Sequence, residues 1–158
     1  MGSRSNNYAY IAGFLDGDGS LMLQVKKRAD GKSKFRFMPT ICFYQDTRHE
    51  KPLYWIRGIL EIGYLSKRND GMTELRINGY TQVRDILKIL LPYIQFKKIQ
   101  GAALYRACTI LSGTKHSLLT KEQFVALVEC ILVIQKENYI AKRKKTKGEL
   151  LKMLGLTP

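Results

Sequence analysis

Apolar and polar side chains alternate over two segments in the first third of the chain. Leu21, Leu23 and Val25 form one face over residues 20–28, and Met22, Gln24, Lys26 and Arg28 form the other. A period of two places every second side chain on the same face of a sheet. A second alternating segment over residues 34–44 is expected to bury Phe35, Phe37, Ile41 and Phe43, with Pro39 as an irregularity because it cannot donate to a ladder. We therefore expect two strands joined by a turn over residues 30–33.

Helical spacing and turn residues divide the rest of the chain. Pro52 is typical of a helix start, Gly63 of a helix end, and Asp70-Gly71 of a tight turn between two strands. The predicted strands of this second hairpin cover residues 64–68 and 72–78. The predicted helices cover residues 8–16, 52–62, 82–91, 99–112 and 121–141. The order helix, hairpin, helix, hairpin, helix, followed by C-terminal helices, predicts an α+β fold.

A chain of 158 residues is expected to form one domain, here over residues 8–141. Residues 1–7 are polar and are expected to be a flexible N-terminus, with a cloning remnant as one explanation. Residues 142–158 are expected to be a basic tail. The three cysteines are widely spaced among apolar residues, which is typical of reduced, structural thiols. With no secretory signal or membrane-length apolar stretch, we expect an intracellular protein, in a prokaryotic cytoplasm or an organelle.

The charge balance narrows the class of partner. The chain has 27 Lys plus Arg against 13 Asp plus Glu, a formal net charge of +14. This excess is spread along the whole chain and indicates an extended surface for a polyanion. A membrane surface is the competing partner, but no basic amphipathic helix with an aromatic apolar face stands out. We therefore expect a nucleic acid.

Asp16 and Asp18 follow the first apolar helical segment and are interleaved with glycines. Carboxylates at the C-terminal end of a helix are unfavourable, so a bound cation is one explanation and a solvated, glycine-capped turn is the other. An EF-hand loop is excluded because Leu21 stands where that loop needs glycine. A phosphate-binding loop is excluded because Lys26 stands in place of its first glycine.

Residues 11–19 resemble the signature of the LAGLIDADG homing endonucleases. Five positions match, and Gly17 replaces an alanine; the matches are Ala12, Gly13, Asp16, Asp18 and Gly19. The resemblance implies an αββαββα core whose four-stranded antiparallel sheet, backed by helices, forms a saddle over the DNA major groove. Because the chain carries one copy of the motif, the resemblance implies a homodimer. The expected interface residues are Ile11, Ala12, Gly13, Leu15 and Asp16.

The resemblance also implies a Mg²⁺-dependent catalytic site. Asp18 from each subunit would hold the metal, with the Gly17 carbonyl as a further ligand, as a two-metal phosphodiesterase requires. Gln45 aligns with a glutamine that orders water, and Lys97, favoured over its neighbour Lys98, with a lysine that stabilises charge. Asp16 is expected to be structural, and the role of His49 stays open.

The polar faces of the strands are candidates for base contacts. A β-ribbon fits the major groove, where Arg and Lys bind guanine and Gln binds adenine, although a solvated polar face is the plainer interpretation. Residues 142–144 are expected to contact phosphates. The expected DNA-binding residues are Gln24, Lys26, Arg28, Arg36, Met38, Cys42, Tyr64, Ser66, Arg68, Glu74, Arg76, Lys142, Arg143 and Lys144.

The main prediction is thus a site-specific, Mg²⁺-dependent endonuclease that cuts both strands of DNA and serves intron or intein mobility. No small-molecule substrate is expected. One alternative is a non-catalytic nucleic-acid binder, such as an RNA maturase that assists intron splicing, and another is a transcription regulator. Asp18, Gln45 and Lys97 favour cleavage, because a protein that only binds does not need them.

Overall fold

The computed structural model describes residues 3–29, 34–138 and 144–156. In this part of the chain, four strands form one antiparallel sheet in the order β1-β2-β4-β3. The strands are β1 (Gly19–Lys27), β2 (Phe35–Asp46), β3 (Tyr64–Lys67) and β4 (Met72–Asn78). Both predicted hairpins are confirmed, and β2 continues two residues beyond its predicted end at residue 44.

The helices lie against one face of this sheet. They are α1 (Arg4–Asp18), α2 (Lys51–Leu60), α3 (Tyr80–Leu90), α4 (Lys98–Gly113), α5 (Lys121–Glu137) and α6 (Lys147–Met153). The first four predicted helices are confirmed with shifts of one to four residues at their ends. The fifth begins at residue 121 as predicted but ends at Glu137, since Asn138 is extended, and its predicted residues 139–141 lie outside the described residues. Helix α6 was not predicted. None of the helices in the described ranges has the length and apolar character needed to cross a bilayer.

The core lies between the helices and the inner face of the sheet. Leu21 pairs with Ile41 and Val25 with Phe37, and all four side chains are buried. Pro39 lies on the same face opposite Leu23. The pairing of β2 with β4 begins only at the next residue, so the missing N–H of Pro39 costs no ladder bond on that side.

Among the described residues, both terminal segments contain helical structure that was not predicted. Helix α1 begins at Arg4, because the Ser3 hydroxyl accepts a hydrogen bond from the N–H of Asn6. Residues 4–7 are therefore helical, and the prediction of a flexible segment over residues 1–7 is wrong for them. At the other end, α6 carries a capping box formed by Thr146 and Glu149, and its Leu150 is 1% exposed.

The basic segment before α6 is only partly described. Lys142 and Arg143 lie outside the described residues, whereas Lys144 is exposed. The adjacent Lys145 donates its backbone N–H to Gln135 Oε1 at 2.8 Å, which ties the start of the tail to α5. The predicted basic tail is thus not only a solvated segment of charged residues, since it includes α6, which packs on α5.

Candidate active site and nucleic-acid interface

The last turn of α1 carries two carboxylates and no basic residue. Asp16 is 8% exposed, and its carboxylate accepts the backbone N–H groups of Gln95 (2.7 Å), Phe96 (3.2 Å) and Lys97 (2.9 Å). These donors immediately precede α4, where the helix dipole is positive. The charge of Asp16 is therefore offset by the N-terminus of another helix, and the cation expected from the sequence is not needed there.

Asp18 has the opposite environment, because its side chain is exposed at the end of the same helix. The strand β1 leaves the helix directly after it, through Gly19. A Cβ on Gly19 would lie 2.5 Å from Leu15 Cδ1 and 2.8 Å from the Leu15 carbonyl oxygen, so only glycine fits this junction. The close junction places Asp18 at the end of the sheet where β1 begins.

Lys97 interacts with both acids, through hydrogen bonds with Asp16 and through the charge of Asp18. Its Nζ donates a hydrogen bond to the backbone carbonyl of Asp16, one of the carbonyls left unpaired at a helix C-terminus. Burial lowers the pKa of Lys97, and the negative charges of Asp16 and Asp18 oppose that shift. Lys98 is exposed as the first residue of α4. The geometry therefore favours Lys97, as predicted, for a role near Asp18.

Gln45 lies near the C-terminal end of β2, at the same end of the sheet as Asp18. It follows Phe43, which pairs with Gly19, the first residue of β1. Its Oε1 accepts the backbone N–H of Asp46 at 2.9 Å. The structure thus brings Asp18, Lys97 and Gln45 to one end of the sheet.

The turn after β2 contains an ion pair that the sequence reasoning missed. Arg48 donates to both carboxylate oxygens of Asp46, at 3.0 and 2.7 Å, and these hydrogen bonds hold the pKa of Asp46 well below its usual range. His49 is exposed in the same turn. Its role stays a prediction.

The outer face of the sheet carries most of the expected DNA-binding residues. Lys26 pairs with Arg36, and Gln24 with Met38, near the far end of the first hairpin. Nearer to Asp18, a row crosses all four strands and contains Ser20, Cys42, Arg76 and Tyr64. Arg28, Ser66 and Arg68 lie at the ends of the strands, where Arg28 and Arg68 are exposed.

Two residues of the expected set are not available for direct contact with bases. Cys42 is 0% exposed and Glu74 is 9% exposed. The Cys42 thiol donates to Glu74 Oε2 at 3.7 Å, and burial raises the pKa of Cys42 to about 11. The expectation of base contacts by these two side chains is wrong for this structure, because their neighbours on the outer face cover them.

Other polar residues of the outer face were not among the expected DNA-binding residues. Ser20 is hydrogen-bonded to the Tyr44 hydroxyl at 3.0 Å, and Asn78 Nδ2 donates to the Tyr64 hydroxyl at 3.1 Å. Thr40 Oγ1 donates to Asn78 Oδ1 at 2.9 Å. The alternation of β2 and β4 contained the signal, since these residues share their parity with Cys42 and Arg76.

Four of the five expected interface residues of α1 face the core of their own chain. Ile11, Ala12 and Leu15 are 0% exposed, and Asp16 is bound to residues 95–97 as described above. The expectation that they form an interface is therefore wrong. Only Gly13 of that set is exposed. Spacing along the helix identified neighbours but not which face the core covers.

Over residues 9–17, the exposed residues of α1 are small or aromatic. At Gly13 and Gly17, an added Cβ would meet nothing within 4 Å. Tyr10 is 60% exposed and contacts Trp55 of α2 edge-to-face, with ring centroids 5.5 Å apart. This face allows another backbone to approach α1 closely.

Within the described ranges, no group of three or more His, Cys, Asp or Glu side chains is arranged to hold a metal ion. Asp18 is a hard, exposed oxygen ligand next to the exposed Gly17. Such oxygens suit a divalent cation, but one carboxylate is too few for a site made by one protomer alone. The residues present thus fit half of a metal site.

Comparison with known proteins identifies the family. The family model described as LAGLIDADG endonuclease matches residues 11–106, and the chain belongs to this family. It is 32% identical over 138 residues to the DNA endonuclease I-CvuI of Chlorella vulgaris, covering 87% of this chain and 81% of that protein. It is 26% identical over 108 residues to the DNA endonuclease I-CreI of Chlamydomonas reinhardtii, covering 68% and 66%. The family and the αββαββα fold implied by residues 11–19 are confirmed.

Solved structures agree with this assignment. A crystal structure of I-CvuI with the I-CreI target in 2 mM Mg, in which the DNA is not cleaved, superposes with a TM-score of 0.79 at 30% identity, covering 96% of each chain. A second I-CvuI structure, in complex with its own target in 2 mM Ca, also gives a TM-score of 0.79, at 28% identity over 98% of each chain. The fold and the relative positions of its elements are therefore those of a DNA-bound relative.

Proposed function

We propose that this protein is a site-specific, Mg²⁺-dependent endonuclease that makes a double-strand break in DNA as a homodimer. The observation that carries the proposal is the asymmetry of the two acids in α1. Backbone N–H groups bind the Asp16 carboxylate, whereas Asp18 is exposed and its charge acts on Lys97. The relatives that support DNA as the substrate are DNA endonucleases, and the I-CvuI structures contain DNA.

The homodimer is proposed because one protomer holds half of a site. Two copies of α1 that meet across a twofold axis would contact each other through Gly13 and Gly17. The lack of side chains there lets the two backbones approach closely, and the two Asp18 carboxylates would then lie near the axis. The exposed pair Tyr10 and Trp55 would flank the same interface.

The metal would be held by Asp18 of both protomers and by the Gly17 carbonyl. When bound, Mg²⁺ supplies an activated water and neutralises charge on the phosphate. The Lys97 side chain, whose Nζ donates to the Asp16 carbonyl, would stabilise the negative charge that develops on the phosphate oxygens. The Gln45 amide would orient water at the same end of the sheet.

The outer face of the sheet would read the DNA. Lys26, Arg36 and Arg76 are suited to guanine, and Gln24 to adenine. The nine residues of β1 span about 30 Å at ~3.3 Å per residue, which corresponds to roughly nine base pairs. We therefore propose a partly palindromic site of about 20 base pairs for the dimer. Lys142, Arg143 and Lys144 would contact flanking phosphates.

The test is selection of cleaved sites from a randomised, partly palindromic DNA library with Mg²⁺, comparing the protein with Asp18→Asn. One long symmetric site, cut on both strands and left uncut by Asp18→Asn, is the expected result. If both proteins select the same DNA and neither cuts it, the protein is a regulator and not an endonuclease. If neither selects DNA, structured intron RNA becomes the substrate to test, as for a maturase.

A further inference from the structure

A carboxylate is buried on the outer, DNA-facing side of the sheet. Glu74 is 9% exposed, and both of its oxygens are engaged. Oε1 lies 3.1 Å from Arg76 Nη2, and Oε2 accepts from the Cys42 thiol at 3.7 Å. Negative charge on this face opposes the approach of phosphates and so lowers the affinity for DNA. The presence of Glu74 here therefore calls for an explanation.

The state of Arg76 indicates what this role is. Its side chain is 26% exposed, so part of the guanidinium faces outward. Its Nε is buried and has no hydrogen-bond partner among the residues that the structure describes. A buried group left unpaired is unfavourable, so the ion pair with Glu74 is what keeps the guanidinium in this conformation.

The position of Arg76 in the sheet relates it to the site of cleavage. Arg76 pairs with Cys42, which pairs with Ser20, and Ser20 follows Asp18 by two residues. The row of Lys26 and Arg36 lies six residues farther along β1, about 20 Å or roughly six base pairs at ~3.3 Å per residue. Arg76 therefore faces the part of each half-site nearest to the cleaved bonds.

We infer that Glu74 is a positioning residue that holds Arg76 in place to recognise a guanine in the inner part of each half-site. This inference rests on the proposed function. Arginine recognises guanine through two parallel hydrogen bonds to O6 and N7, which requires a fixed guanidinium plane. An arginine already held by Glu74 loses less side-chain freedom when it binds the base. Glu74 itself does not read a base, because its two oxygens contact Arg76 and Cys42 and the residue is only 9% exposed.

The test measures base preference at every position of the selected site for the unsubstituted protein and for Glu74→Gln. The unsubstituted protein is expected to disfavour replacement of one inner G·C pair in each half-site by roughly tenfold or more. Glu74→Gln is expected to lose most of that preference and to keep it elsewhere. In an Arg76→Ala background, Glu74→Gln should change the preference no further, because the two residues act as one unit.

Two controls separate positioning from general damage to the fold. Glu50→Gln removes a carboxylate that is also paired, with the Thr73 hydroxyl at 2.6 Å and Lys67 at 3.5 Å, and is expected to leave all base preferences unchanged. Arg36→Ala should alter the base preference only at the outer positions of each half-site. If Glu74→Gln fails to fold, Cys42→Ala serves instead, since it removes the second contact of Glu74 and should weaken preference at the same base pair.

The outcomes distinguish this inference from the proposed function. If the unsubstituted protein selects no DNA, the proposed function fails. If it selects a site and the folded variant keeps its preference at the inner G·C pair, or loses affinity equally at all positions, the positioning role of Glu74 is wrong.

Discussion

Asp16 and Asp18 are separated by one residue, yet they serve different purposes. Three backbone N–H groups bind Asp16, while Asp18 stays exposed at the unfavourable C-terminal end of the helix. One acid therefore stabilises the junction between α1 and α4. The other is held in a position that costs free energy until a cation arrives, which is typical of functional residues.

This difference predicts opposite effects on stability. Asp16→Asn should lower the free energy of unfolding by about 1–3 kcal/mol, because an amide cannot accept hydrogen bonds through both of its terminal atoms. Asp18→Asn should leave it unchanged or raise it by a few tenths of a kcal/mol. Urea unfolding of both variants at equal protein concentration, in chelator and without DNA, is the measurement. Equal losses in the two variants would contradict the assignment.

The charge balance around Lys97 can be measured directly. Burial lowers its pKa, and Asp16 and Asp18 oppose this, so Asp18→Asn should lower the pKa of Lys97 further. The ammonium would then lose its proton at a lower pH than in the unsubstituted protein. An NMR titration of labelled lysine side chains checks this, with the exposed Lys98 as the internal control. A pKa of Lys97 that does not respond to the substitution would mean that Asp18 lies too far away to act on it.

At the scale of elements, the exposed glycines of α1, Gly13 and Gly17, have no packing role within one protomer, because an added Cβ would meet nothing there. Gly13→Leu meets nothing within 4 Å of the new Cβ, and leucine is the better helix former by up to about 1 kcal/mol. The chain should therefore fold, but the α1 helices of two protomers should no longer pack against each other. Sedimentation equilibrium is expected to show a monomer, and cleavage should be lost with the dimer.

Gly113→Leu is the matched control for this prediction. Gly113 is an exposed glycine at the end of α4, and its Cβ position is also open. This variant should remain a dimer and should cut DNA. A dimer that survives Gly13→Leu would place the interface on another surface.

The sheet could be predicted from the sequence because one of its faces is buried. Over residues 21–25 and 35–43, that burial places an apolar side chain at every second position, with Pro39 as the one irregularity, and the sequence shows this period of two directly. The identity of the buried face of α1 could not be predicted in this way. Ala12 and Gly13 are neighbours in sequence but point about 100° apart on the helix, and only the packed core reveals that Ala12 is covered.

Helix α6 shows a different limit. The Thr146-x-x-Glu149 capping pattern is visible in the sequence, but it lies within a lysine-rich segment that also fits a solvated tail. A helix of seven residues is not stable by itself, so its existence depends on the burial of Leu150 against the body of the protein. The same holds for the site, where local pattern identified Asp18 but long-range pairing decided the roles of Asp16 and Glu74.

At the scale of the whole molecule, a strongly basic protein carries the exposed carboxylate of Asp18 at the place where, under the proposed function, DNA would be cut. The net charge of +14 attracts DNA over the entire surface, with an affinity that decreases as salt increases. In the proposed dimer, two Asp18 carboxylates would lie together near the phosphates. They repel each other and the DNA unless a cation lies between them.

Binding of metal and of DNA should therefore be coupled through Asp18. In chelator, Asp18→Asn is expected to bind the selected DNA more tightly than the unsubstituted protein, because it removes two negative charges from the dimer near the phosphates. With 2 mM Ca, the condition of one I-CvuI complex, the unsubstituted protein should gain affinity and the variant should gain little. Fluorescence anisotropy with labelled DNA at several salt concentrations measures both effects, and the difference in chelator should shrink as salt increases. Equal affinities in chelator at low salt would mean that Asp18 does not face the phosphates, and the twofold arrangement of α1 would then have to be abandoned.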